Sequence, residues 1–215
     1  MDIIINEIRK NIFLLTFKNQ YEATSTFMRL QEYYESPYKG IKNCYFTLEE
    51  YMDRYAKENE NFTYNEDWSG FNVPDNIVRN FFKIFGDNLL EKEKELYGKI
   101  EFLINDIKNF YLIGVYKDED LNHEIAHGYY YLDSIYKNNM DINTSLIDTN
   151  IIRNIKKVLK KFGYCKEVLN DEIQAYLSTE KDLYLKNILN FDVSINITKK
   201  YREVFKEKDK NGKCV

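Results

Sequence analysis

Proline and glycine are scarce in this 215-residue chain: two prolines and eight glycines leave no linker-like stretch that would separate independent regions. One domain, at most with a second lobe, is the organisation this predicts. Cysteine is scarce and badly spaced for a framework. Cys44, Cys165 and Cys214 are an odd, dispersed set without a CxxC pair, which excludes a disulfide scaffold and a cysteine-based zinc cluster and predicts reduced thiols. No apolar run approaches the ~18 residues of a membrane span. The start MDIIINEIRK, with Asp2 and Glu7, lacks the pattern of a secretion signal, so the expected setting is cytoplasmic, with no membrane partner. Neither sign of charge dominates: 31 Lys and Arg stand against 35 Asp and Glu, a net charge of −4, which makes no electrostatic case for nucleic acid. Histidine is rarer than any of these except proline and tryptophan, with two residues in the whole chain.

What the chain does have is apolar material, 44% of its residues, enough for one core or a core with a small lobe. "NIFLLTF" (11–17) reads as a buried strand, and "CYF" (44–46) as a short strand entering a helix at "TLEEYMDRYAKE". Thr47 with Glu50 is a capping-box pattern at that helix start. "TYNEDWSGFNVPDN" carries turn formers around the only tryptophan and predicts a loop pinned by Trp68 and Phe71. Apolar spacing from Asp75 to about Asn109 predicts one or two amphipathic helices broken near Gly86, followed by a strand over Phe110 to Tyr116. Further helices are predicted from Asp118 or Asp120 to Asn138, from Asp148 to Phe162 with Gly163 as C-cap, and through "KEVLNDEIQAYLST" to Ser178.

Both histidines lie in one of these helices, in "DEDLNHEIAHGYYYLD" (118–133). Positions four apart share a helix face, so His123 and His127 present two imidazoles to one ion, and Glu124 stands one step round. Random placement of two histidines rarely yields this spacing with a glutamate after the first. The competing reading is two hydrogen-bonded, metal-free histidines on a helix surface.

His123, Glu124, Ile125, Ala126 and His127 resemble the HExxH motif of the zinc metallopeptidases known as zincins. The resemblance covers about a third of the chain, 110–178, and none is recognised in the first hundred residues. It implies a helix-rich α+β fold with a zincin-like core over 75–215 and an N-terminal α/β extension over 1–74. It also implies that the strand before the helix is an edge strand able to align an extended peptide by strand addition. The cofactor implied is Zn2+, the partner a peptide or protein substrate, and the activity peptide-bond hydrolysis with Glu124 as general base.

A catalytic zinc needs a third protein ligand. In one branch of the family it lies six residues after the second histidine, here Asp133, but that geometry needs a glycine where this chain has Tyr130. If the helix continues, six residues carry Asp133 about 9 Å along the axis and off the histidine face. In the gluzincin branch the ligand is a glutamate on a later helix followed by a small residue, and "NDEIQAY" supplies Glu172 with Ala175; Asp171 and Glu167 are alternatives. The aspartate that many gluzincins carry four residues after the ligand is Tyr176 here, which leaves the histidine-orienting partner open. Tyr176 shares a face with Glu172, so its hydroxyl is a candidate to orient a ligand or stabilise the oxyanion. The alternative function is a non-catalytic, zincin-derived binding protein. A row of cations at Arg153, Lys156, Lys157, Lys160 and Lys161 reads as the solvated face of an amphipathic helix, with an acidic partner as the less favoured alternative.

Overall fold

The computed structural model describes residues 2–116, 121–189 and 193–212. It is helix-rich α+β and divides into two compact units, 1–119 and 120–215, instead of parting at 74/75. Sheet pairing is the reason for the difference.

The first unit opens with a hairpin of β1 (Ile4–Arg9) and β2 (Ile12–Thr16), turned at Asn11, whose φ of 61° is tolerated by asparagine. The Glu7 carboxylate accepts from the Asn11 N–H at 2.7 Å and steadies the turn. β3 (Gly70–Pro74) and β4 (Tyr111–Val115) complete a four-stranded sheet in the order β1-β2-β4-β3. β4 runs parallel to β2, with Leu14 opposite Ile113, and antiparallel to β3. The segment after Pro74 therefore returns to the sheet of the N-terminal hairpin and belongs to that unit. β4 is also interior, hydrogen-bonded along both sides and buried at every residue, so the expected edge strand for peptide addition is not there.

Helix α1 (Gln20–Glu35) packs on β3 and β4 and is buried on nearly all sides, with Phe27 stacked on Phe71 at 5.3 Å between ring centres. α2 (Leu48–Asn59) starts at the expected capping box: Thr47 Oγ1 accepts from the Glu50 N–H at 3.2 Å, and Glu50 Oε2 accepts from the Thr47 N–H at 2.7 Å. The expected strand at "CYF" is irregular backbone instead; Phe46 is buried against Tyr51 and Phe85 with no ladder beside it. The expected loop around Trp68 is a short helix, α3 (Tyr64–Asp67), followed by β3, because pairing with β4 draws the Gly- and Pro-bounded segment into the sheet edge. α4 (Asp75–Phe85) and α5 (Glu91–Asp106) are separated at Gly86, which has a φ of 37°.

Gly114 shows how tightly α1 sits on the sheet. A Cβ there would lie 2.5 Å from Phe27 Cε2, and the Phe27 ring is held by Phe71 and cannot yield. Gly114→Ala is therefore expected to destabilise the protein by about 1–3 kcal/mol, the usual penalty of overpacking, read as a lower urea midpoint.

Among the described residues the second unit is all helical: α6 (Leu121–Leu132), α7 (Ser134–Ser145), α8 (Thr149–Lys161), α9 (Leu169–Thr179), α10 (Asp182–Leu189) and α11 (Ile195–Gly212). The start expected at Asp118 or Asp120 lies outside the described residues. The helix expected to reach Asn138 stops at Leu132, because Asp133 caps a new one: its Oδ1 accepts from the N–H groups of Ile135 and Tyr136 at 2.8 and 3.0 Å. α9 is the hub, packing against α6, α8 and α11 around Ile125, Leu159, Ile173 and Leu177. Among the described residues no helix is long and apolar enough to cross a membrane.

Candidate metal centre

Apolar side chains fix α6 before its polar ones can act. Ile125, Ala126 and Tyr129 are buried, and Tyr129 Oη donates to Asp209 of α11 at 3.1 Å, so the helix cannot rotate about its axis. His123 and His127 then fall on the side facing α9, their ring centres 4.9 Å apart.

α9 brings acids to that side at its first turn, where unpaired backbone N–H groups favour negative charge. Glu172 places its two oxygens against the two rings: Oε2 lies 3.8 Å from His123 Nε2, and Oε1 lies 3.7 Å from His127 Nε2. The other ring nitrogens face other carboxylates. His127 Nδ1 is 2.9 Å from Asp171 Oδ1, and His123 Nδ1 is 3.5 Å from Glu180 Oε1. Glu172 is buried, and its Oε2 has no hydrogen-bond partner, the kind of orphaned acceptor that a folded protein keeps only for a reason.

One ligand atom from each of His123, His127 and Glu172 lies within 4.8 Å of the others, so this group could hold a metal ion. Ligands of a tetrahedral zinc stand roughly 3.3 Å apart at bond lengths of about 2.0–2.1 Å. The separations of 3.7 and 3.8 Å run to different oxygens of Glu172, and one atom from each residue spans up to 4.8 Å, so the three side chains would have to rotate inward to close on an ion. Two imidazole nitrogens and one carboxylate fit a catalytic zinc in donor type and number, and each imidazole has a carboxylate behind it.

The same carboxylates act on protons. Burial works against the imidazolium at His123, but Glu172 and Glu180 outweigh it and raise the group from 6.5 to about 9. At His127 burial again opposes the charge, while Asp171 and Glu172 prevail and raise it to about 10. A proton and a metal ion are alternatives at each Nε2, so metal uptake here releases protons.

Glu124 is half-buried beside the histidines, and its charge acts on both rings. Tyr176 comes to the same place: its ring meets that of His123 edge to face at 4.8 Å, and its hydroxyl is 3.4 Å from that of Tyr164. Burial keeps the Tyr176 phenol protonated, with Glu172 adding to the effect, so the hydroxyl is a donor. Asp133 is taken up as the cap of α7 and by an ion pair with Lys208. Glu167 is exposed ahead of α9 and lies outside the cluster, and Asp171 faces the far nitrogen of His127.

Sequence reasoning left open which groups would lie behind the histidines; the carboxylates that face their Nδ1 atoms are Asp171 and Glu180. The acid pair at the start of α9 was the visible signal for the first. Glu180 lies just past the end of the helix, eight residues after Glu172, and no local pattern marks it. The basic row on α8 is an exposed helix face, with Lys156 half-buried, opposite the buried Ile155 and Leu159, as the amphipathic reading predicts.

Set against known protein families, curated proteins and solved structures, the chain matches none.

Proposed function

We propose that the protein is a zinc-dependent peptidase of the gluzincin kind, with zinc held by His123, His127 and Glu172. The observation that carries this reading is the division of labour at the two rings: both Nε2 atoms converge on one buried carboxylate, while both Nδ1 atoms face separate carboxylates. The oxygen of Glu172 left without a hydrogen bond, buried where both Nε2 atoms meet, favours a metal over two hydrogen-bonded, metal-free histidines. Nitrogen and oxygen donors in this number suit zinc among the common divalent ions.

Zinc bound there would supply a Lewis acid for the scissile carbonyl and lower the pKa of an attacking water toward about 7. Glu124, whose charge already acts on both rings, takes the water's proton and passes it to the departing amine. Asp171 and Glu180 accept from the Nδ1–H groups and keep both Nε2 lone pairs turned inward. Tyr176, whose ring lies beside His123 and whose phenol stays protonated, is the proposed donor to negative charge that develops on the carbonyl oxygen.

The test compares wild type with Glu124→Gln at equal zinc content on a peptide library. Cleavage that falls by about 10²–10⁴-fold in the variant is the expected result. Equal inactivity of both proteins at full zinc content points instead to a binding protein derived from a zincin.

A further inference from the structure

Behind the candidate centre a series of hydrogen bonds, buried at its α7 end and part-buried at Asp171, runs from α7 to one imidazole. Tyr136 Oη donates to Gln174 Oε1 at 3.0 Å, Gln174 Nε2 donates to Asp171 Oδ1 at 2.9 Å, and the same oxygen lies 2.9 Å from His127 Nδ1. Gln174 is fully buried and Tyr136 nearly so.

Chemistry fixes the direction of each step. A phenol facing an amide carbonyl donates to it, and once that carbonyl is turned to Tyr136 the amide NH2 must face Asp171. An ionised carboxylate only accepts, so Asp171 draws one N–H from Gln174 and one from His127. With the Nδ1 side of His127 taken by Asp171, Nε2, the atom turned to Glu172, is the nitrogen left for a metal ion. The His123 arm is built differently: Glu180 is farther from Nδ1, at 3.5 Å, and sits at the helix end, where Thr179 Oγ1 reaches it at 3.4 Å.

We propose that Gln174 is a positioning residue of the metal centre: held by Tyr136, it fixes Asp171 against His127 and so presents His127 Nε2 to the metal. This rests on the metal reading above, and it assigns to α7, which supplies no ligand, a part in setting metal affinity.

The test uses the full chain and Co(II) as the probe, with affinity read by chelator competition and coordination by the visible absorption of the cobalt protein. Gln174→Met keeps an unbranched side chain and removes both hydrogen bonds; it is expected to weaken cobalt binding about tenfold and to shift the absorption band. Tyr136→Phe removes one hydroxyl and is expected to weaken binding about threefold. In an Asp171→Ala background, already weakened about tenfold or more, Gln174→Met should add less than about twofold, because the residue through which it acts is gone. A folded Gln174→Met with wild-type affinity overturns the inference and leaves the metal reading standing. The same tenfold loss in the Asp171→Ala background also overturns it, since the effect would then be structural. Should Gln174→Met fail to fold, unchanged affinity in Tyr136→Phe overturns it. A wild-type protein that takes up no cobalt removes the metal reading and this inference together.

Discussion

His127→Ala is expected to abolish stoichiometric zinc uptake, lowering affinity on the order of 100-fold or more, because it deletes one of the three proposed ligands and the imidazole that Asp171 faces. The same change destabilises the metal-free protein by about 3 kcal/mol, the lower end of what breaking a buried ion pair costs. His127 is buried between Asp171 and Glu172, both of which raise its pKa, and without the imidazole those two carboxylates stand side by side with no cation between them. Asp171 is partly exposed, 16% for its side chain, which holds the loss at that lower end. Chelator competition reads the first effect and urea denaturation with chelator present reads the second. Lys157→Ala, on the exposed face of α8, is the control that changes neither. Zinc binding that survives His127→Ala undiminished would remove the proposed centre.

Arg29→Met is expected to have the largest effect on stability, about 3–5 kcal/mol. Arg29 on α1 and Glu93 on α5 are 64 positions apart and both about 2% exposed, joined through Nε to Oε1 at 2.8 Å and through Nη2 to Oε2. The guanidinium also donates to the carbonyls of Asn88 at 3.0 Å and Phe46 at 3.3 Å, and lies 4.7 Å over the Phe85 ring. Glu93 has one further bond, from the Leu90 N–H at 2.8 Å. Methionine fills the space but leaves Glu93 as a buried charge with that single donor. Arg29→Met combined with Glu93→Leu should be less destabilised than Arg29→Met alone, since a missing pair costs less than an unpaired ion. Urea denaturation of the two variants decides it; a single-variant loss below about 1 kcal/mol would show that solvent reaches the pair.

Several elements were legible because their causes are local. The capping box at Thr47 and Glu50 marked the start of α2, the glycines at 86 and 163 marked helix ends, and the apolar run in β2 announced a buried strand. β3 was not legible: Gly70 and Pro74 read as turn residues, and only pairing with β4 makes the segment a strand. β1 is largely exposed and its burial does not alternate, so it has no strand signature apart from its partner. The grouping of the strands was not legible for a related reason, since nothing near Pro74 signals that residues 111–115 return to lie between β2 and β3.

At the candidate centre the same boundary holds. The sequence alone determined that His123 and His127 share a helix face with Glu124 beside them, because helical spacing is a property of the backbone. The resemblance to the gluzincins singled out Glu172, in a later helix with the small residue Ala175 three positions on, with Asp171 and Glu167 as alternatives. Only the tertiary structure decided that Glu172 faces both Nε2 atoms while Asp171 and Glu180 take the Nδ1 atoms, because that assignment depends on how α9 docks on α6. Docking is set by apolar packing around Ile125, Ile173 and Leu177, and short-range spacing carries no record of it.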